Sequence, residues 1–144
     1  MRVFRGFDQH TLDAKGRVSL PAKYRKVLPE NLVIVRSLDD DYRSLSVFTE
    51  EAFENWLDSL FAREGGYDSN DLHHVDKMSK FLDKAQDVEV DKAGRINIPV
   101  NLRDYASMDK DVVIVGANDH IKIWDADTYR AYDEYRDANS VSRR

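Results

Sequence analysis

The sequence predicts an α+β fold in which two tandem ββαββα-type units close about a pseudo-two-fold axis into a small β-barrel with outer helices. Three observations carry this expectation. Asp13-Ala-Lys-Gly-Arg-Val-Ser-Leu-Pro21 returns 78 residues later as Asp91-Lys-Ala-Gly-Arg-Ile-Asn-Ile-Pro99. The flanking segments return in the same order: Arg25 maps onto Arg103, Leu32-Val-Ile-Val35 onto Val112-Val-Ile-Val115, and Val47-Phe48 onto Ile123-Trp124. Self-similarity at a fixed period marks a duplicated supersecondary unit. Finally, the strands of one unit are too short to make a stable sheet alone, so the two units must share one.

In the first unit, residues 10–13 and 17–20 read as short strands around the turn Ala14-Lys15-Gly16. Val18 and Leu20 alternate with Arg17 and Ser19, the period of a half-buried strand. Pro21 suits a first helical position, where its missing N–H is not needed, so a short helix is expected over 21–28, closed by Pro29. Strands 31–36 and 44–48 flank a turn at Asp39-Asp40-Asp41. A helix over 50–63 follows, with Phe53, Trp56, Leu57, Leu60 and Phe61 at helical spacing. Gly65 to Asn70 reads as a loop, and Leu72, Val75, Met78, Leu82 and Ala85 trace one stripe of an extra helix, about 71–84. The second unit repeats the plan: strands 88–91 and 95–98, helix 99–106, strands 111–116 and 120–124, helix 126–138. The organisation is therefore a first repeat over 1–63, a linker and connecting helix over 64–86, a second repeat over 87–138, and a disordered tail over 139–144.

Composition bounds the function. The chain has no Cys, which excludes disulfides and thiolate metal sites. No apolar run approaches the roughly 20 residues of a membrane span, and no signal-peptide pattern opens the chain, so a cytoplasmic protein is expected. The net charge is −5, yet residues 1–28 carry +5 and the remainder −10. A basic segment on an acidic body can bind phosphates locally while the rest of the surface orients the molecule.

The duplicated feature that carries chemistry is Asp-x-x-x-Arg. Gly16 and Gly94 stand where a three-residue turn needs positive φ. Asp13 then faces Arg17 across the turn, and Asp91 faces Arg95. Such a pair can fix a guanidinium in one orientation while leaving donors free for phosphate oxygens or for guanine O6 and N7. Taken by itself the pair reads first as a turn staple, because surface ion pairs are common and weak. The company of Arg5, Lys15, Lys23 and Lys26 in the same basic segment favours DNA. The two turns are not equivalent: Lys15 has no basic counterpart at Ala93, although Lys92 is adjacent. The first turn is the more basic in sequence, which puts Arg17 ahead of Arg95.

These residues resemble a known family. Phe4-Arg5-Gly6, His10-Thr-Leu-Asp-Ala-Lys-Gly-Arg17 and Leu20-Pro-Ala-Lys-Tyr-Arg25 look like the first repeat of the MraZ family. Asp91 to Pro99, Leu102-Arg-Asp-Tyr-Ala106, Val113-Ile-Val-Gly116 and Ile123-Trp124 resemble its second. The resemblance runs in order from residue 4 to about 132. It implies a swapped-hairpin barrel related to AbrB, a transcriptional regulator of double-stranded DNA, and assembly into closed homo-oligomeric rings. It also implies G-rich direct repeats in the promoter of the bacterial division and cell-wall gene cluster as the target, and nucleoid association. DNA-binding residues expected on both grounds are Asp13, Arg17, Asp91 and Arg95; Arg5, Lys15, Lys23 and Lys92 join them on charge and turn position alone. Two departures lie away from the turns: Lys122 stands where an acidic residue usually precedes the Ile-Trp pair, and Lys77 to Ala85 is less basic and aromatic than usual.

Other classes fit less well. His10, His73, His74 and His120 are candidate catalytic groups, but neighbouring helix positions point about 100° apart, so His73 and His74 do not suit one metal. Neither an HExxH nor a Gly-rich phosphate loop occurs. No catalytic residue, metal, cofactor or small-molecule substrate is expected. A small antitoxin-like regulator with a toxin-binding tail is disfavoured by the tandem repeat. The remaining alternative is a ring-forming structural protein without specific DNA binding.

Overall fold

The computed structural model describes residues 3–140. The fold is α+β, and all its strand pairs are antiparallel. In chain order the first unit supplies β1 (Phe7–Thr11), β2 (Arg17–Ser19), α1 (Ala22–Arg25), β3 (Asn31–Arg36), β4 (Leu45–Phe48) and α2 (Glu50–Ser59). A connecting helix α3 (Leu72–Leu82) leads to β5 (Gln86–Glu89), β6 (Arg95–Asn97), α4 (Val100–Tyr105), β7 (Asp111–Gly116), β8 (Ile121–Asp125) and α5 (Ala126–Ser140).

Six strands form one sheet in the order β1-β7-β8-β4-β3-β5, and β2 and β6 form a separate ribbon. This order is its own mirror under exchange of the units. The first strand of each unit pairs with the third strand of the other, β1 on β7 and β5 on β3. Leu12 N–H to Lys110 O and Val90 N–H to Glu30 O, both 2.8 Å, extend these exchanges. The axis passes between Ser46 and Lys122, partners in the β4–β8 pair, and between Val18 and Ile96, partners in the ribbon. Each Asp-x-x-x-Arg turn is closed by one backbone bond, Asp13 N–H to Arg17 O or Asp91 N–H to Arg95 O, both 2.9 Å, but its two strands then part to pair elsewhere. Each turn hands its second strand to the other unit, which is the swap.

Burial explains the patterning. Val18, Leu20, Leu32, Ile34, Leu45, Val47 and their counterparts Ile96, Ile98, Val112, Ile114, Ile121 and Ile123 fill the interior between sheet and ribbon, with Tyr24, Leu102 and Tyr105 from α1 and α4. Alternate residues Val33, Val35 and Phe48 face a second cluster with Phe53, Trp56 and Phe81 of α2 and α3. The run Leu32–Val35 is unbroken because β3 is covered on both faces.

Several boundaries differ from those read in the sequence. Pro21 and Pro99 cap their helices from just outside, with ψ of 142° and 145°, instead of occupying the first helical position. The expected helix 50–63 ends at Ser59 and resumes as a 3₁₀ turn over Ala62–Glu64, stopped by Gly65 at φ 86°. The tail expected over 139–144 overlaps α5, where Asn139 Nδ2 bonds Tyr135 O at 2.8 Å within the helix; residues 141–144 lie outside those described. No helix among the described residues is long and apolar enough to cross a membrane.

Candidate nucleic-acid interface

Each turn is built by its aspartate. Asp13 Oδ1 accepts the backbone N–H groups of Lys15 and Arg17, both at 2.9 Å, and Oδ2 accepts Arg17 Nε at 2.7 Å. Asp91 repeats the set with Ala93 and Arg95, with Arg95 Nε at 3.0 Å. Gly16 and Gly94 supply the positive φ, 80° and 79°. One carboxylate thus fixes both the turn and the guanidinium beyond it. Among the described residues only Nε is engaged, so the terminal nitrogens of both arginines are available as donors. Both carboxyls lie below the ordinary value of 3.8, held there first by the backbone N–H of Arg17 or Arg95 and also by its guanidinium. A depressed carboxyl keeps its stabilising effect above its unfolded value and loses it as pH falls through the folded one. The turns therefore stay stapled throughout the neutral range.

The ribbon sets the two arginines side by side. Val18 pairs with Ile96 and both are buried, so Arg17, Ser19, Arg95 and Asn97 share the outward face. Arg17 lies opposite Asn97 and Ser19 opposite Arg95, which makes Arg17 and Arg95 diagonal neighbours about 7–8 Å apart. Lys15 and Lys92 are exposed on the turns at opposite ends.

The swap also seals each turn with the other unit. Leu20 N–H donates to Gly94 O and Ile98 N–H to Gly16 O, both at 2.9 Å. Arg25 Nη1 donates to Ala93 O at 3.1 Å. Arg103 covers Gly16 and donates through Nε to Ile98 O at 2.9 Å. Sequence reading paired Arg25 with Arg103 by their common offset but assigned neither to the interface. The missed signal was that invariance of the offset at two cations, whose partners only the crossover reveals.

Arg5 and Lys23 sit elsewhere. Lys23 Nζ bonds Asp8 at 2.8 Å, and Asp8 is five residues before Asp13, roughly 16 Å at strand rise. The Arg5 carbonyl accepts Tyr24 OH at 2.7 Å, and the arginine with Val3, Phe4, Lys23, Tyr24 and Val27 lines a separate hollow. Of the eight residues expected at the interface, six therefore gather on the ribbon and its turns, and two do not.

The histidines have structural surroundings. Buried His74 accepts the Asp68 N–H at Nδ1, 2.9 Å, which leaves Nε2 to donate to Glu64 at 3.1 Å. His120 stacks on Phe48 at 4.3 Å, and burial pushes its pKa down.

Comparison with known proteins bears on this arrangement. The sequence model of the family described as "MraZ protein, putative antitoxin-like" matches residues 3–65 and again 81–144. The chain is similar to the "Transcriptional regulator MraZ" of Acetivibrio thermocellus, 36% identical over 144 residues, covering 99% of this chain and 96% of the relative. The protein of the same name from Mycoplasmoides gallisepticum is 35% identical over 132 residues, with 92% and 88% covered. That from Paenarthrobacter aurescens is 37% identical over 130 residues, with 90% and 86% covered. Two matches of one family model, falling on the two halves that exchange strands, make the assignment plain: the chain belongs to the MraZ family.

Proposed function

We propose that this chain is a sequence-specific transcriptional regulator of double-stranded DNA. Its targets are G-rich direct repeats upstream of the bacterial division and cell-wall gene cluster, its own promoter included, and it works in the cytoplasm in association with the nucleoid. Several copies close into a homo-oligomeric ring. The observation that carries the reading is the pair of aspartate-oriented guanidinium groups, Arg17 and Arg95, on the outward face of one ribbon. A two-stranded ribbon fits the major groove, and an arginine with free terminal nitrogens can meet guanine O6 and N7 together. Their spacing of about 7–8 Å corresponds to roughly two base-pair steps. Lys15 and Lys92 contact phosphates, while Asp13 and Asp91 orient the readers; Arg5 and Lys23, which lie off the ribbon, are left out of this contact set. The relatives' description as transcriptional regulators supports the coarser part of this reading.

A gel shift with the duplex upstream of the coding region, against random competitor, tests it. Arg17→Ala should relax discrimination at guanine positions and cost about 1–3 kcal/mol per subunit engaged. Lys15→Ala should weaken binding to all sequences alike. A protein that fails to prefer the upstream duplex would be a structural ring. Unchanged affinity in both Arg17→Ala and Arg95→Ala would remove the reading heads.

A further inference from the structure

The swap redistributes charge in a way the linear sequence conceals. α1 belongs to the first unit but packs beside the second turn, where Arg25 bonds the Ala93 carbonyl. There Ala22, Arg25, Lys26, Val90, Asp91, Lys92 and Gly94 line an open cleft of about 450 Å³. With Arg95, the lining of this cleft holds four cations and one carboxylate, Asp91, and Glu30 stands outside the lining. At the corresponding positions around the first turn, Val100 replaces Ala22, Asp104 replaces Lys26 and Ala14 replaces Lys92. At these positions the first turn has Lys15, Arg17 and Arg103 against Asp13 and Asp104, with Lys110 flanking it where Glu30 flanks the second. Its seal is also more committed: Arg103 is partly buried and bonded through Nε to Ile98 O, whereas Arg25 is exposed. Among the described residues, no carboxylate lies within ion-pair distance of Lys26 or Lys92.

We infer that the second turn, completed in trans by Arg25 and Lys26 of the first unit, is the principal anchor for a DNA backbone phosphate. The inference rests on the DNA-binding reading above and adds two residues and a ranking to it. Arg25, already tied to the turn, and the free ammonium groups of Lys26 and Lys92 converge on one cleft, where an anion is attracted from several sides. Arg95 emerges beside that cleft, so the phosphate contact sets the register in which Arg95 meets a base. The first turn then reads with less anchoring, its cations offset by Asp104. The basic N-terminal segment thus serves the second turn as well as the first, and Arg95 ranks above Arg17.

The test uses the full chain and two duplexes, the upstream DNA and a random one, titrated over a series of salt concentrations. Lys26→Ala and Lys92→Ala should each weaken both duplexes severalfold and flatten the slope of log K against log salt by about 1 per anchoring site engaged. Asp104→Lys, which recreates the basic cleft beside the first turn, should raise affinity and steepen the slope. Arg95→Ala should cost more than Arg17→Ala. Lys26, Lys92 and Asp104 are exposed, Arg17 and Arg95 are half-buried, and circular dichroism checks that each variant folds. If the wild-type protein prefers the upstream duplex but Lys26→Ala and Lys92→Ala leave affinity and slope unchanged, the anchor is wrong while the reading stands. If the wild type shows no preference, the DNA reading itself fails.

Discussion

A glycine lying under an arginine controls how each turn is held. Gly16 and Gly94 have φ of 80° and 79°, a region where an L side chain costs about 1–2 kcal/mol. Space is a second constraint. A Cβ on Gly16 would stand 2.6 Å from Arg103 Cζ, and one on Gly94 would overlap Arg25. Gly65 has a similar φ of 86° but no atom within 4 Å of an added Cβ, so it separates the two effects. Gly65→Ala should lower unfolding stability by about 1 kcal/mol. Gly94→Ala should lower it further, by about 2 kcal/mol, because Arg25 must also leave the Ala93 carbonyl. Urea unfolding of the two variants measures the difference. Equal losses would mean that the arginine seal contributes nothing to the fold. The residues needed for the turn itself were legible in the sequence, since Asp, Gly and Arg at fixed offsets have local reasons to be there. The sealing arginine was not, because its partner is 68 residues away in the chain.

Among the elements, the exchange of strands makes the units interdependent. β1 finds its partner in β7, β2 in β6 and β5 in β3. A cut after Asn70, at the end of the loop that follows Gly65, would give fragments 1–70 and 71–144, each keeping one internal strand pair, β3–β4 or β7–β8. Such a pair alone is marginal in water. Neither fragment should show a concentration-independent cooperative transition by circular dichroism, and an equimolar mixture should recover one. A monomeric 1–70 that unfolds cooperatively would refute the obligate swap. The strand locations were readable: β3 and β7 coincide with the expected 31–36 and 111–116, because apolar runs bounded by polar turns leave little choice. Pairing was harder. A turn with Asp-x-x-x-Arg ends looks like a hairpin from local sequence alone, and only the family resemblance implied that its strands exchange. The same crossover explains why charge counted along the chain favoured the first turn, while the inferred anchor, which draws Arg25 and Lys26 from the other unit, lies at the second. Lys122 illustrates a further gap. Its place opposite Ser46 on the pseudo-axis, with its pKa lowered by burial, follows from strand register and not from its neighbours in sequence.

For the whole molecule, the proposed function asks one ribbon to hold DNA against an acidic body. The chain carries −5 overall, with −10 outside the first 28 residues, so the net field of the rest of the body repels DNA. A single subunit on a single repeat should therefore bind weakly. In the proposed ring, subunits are fixed relative to one another, and occupation of one repeat raises the effective concentration of the next subunit at its neighbour. Linkage of this kind raises affinity by about 10²–10⁴ without new contacts, provided the spacing lets both sites engage. A duplex with two direct repeats at native spacing should thus bind at least about 100-fold more tightly than one with a single repeat. Insertion of about 5 base pairs turns the second repeat to the opposite side of the helix and should abolish the gain, whereas insertion of about 10 should restore much of it. Anisotropy titrations of the four duplexes at one salt concentration measure this. If one repeat binds as tightly as two, or if a half-turn insertion has no effect, the affinity resides in a single subunit's contacts, and geometric linkage is not how this acidic protein holds DNA.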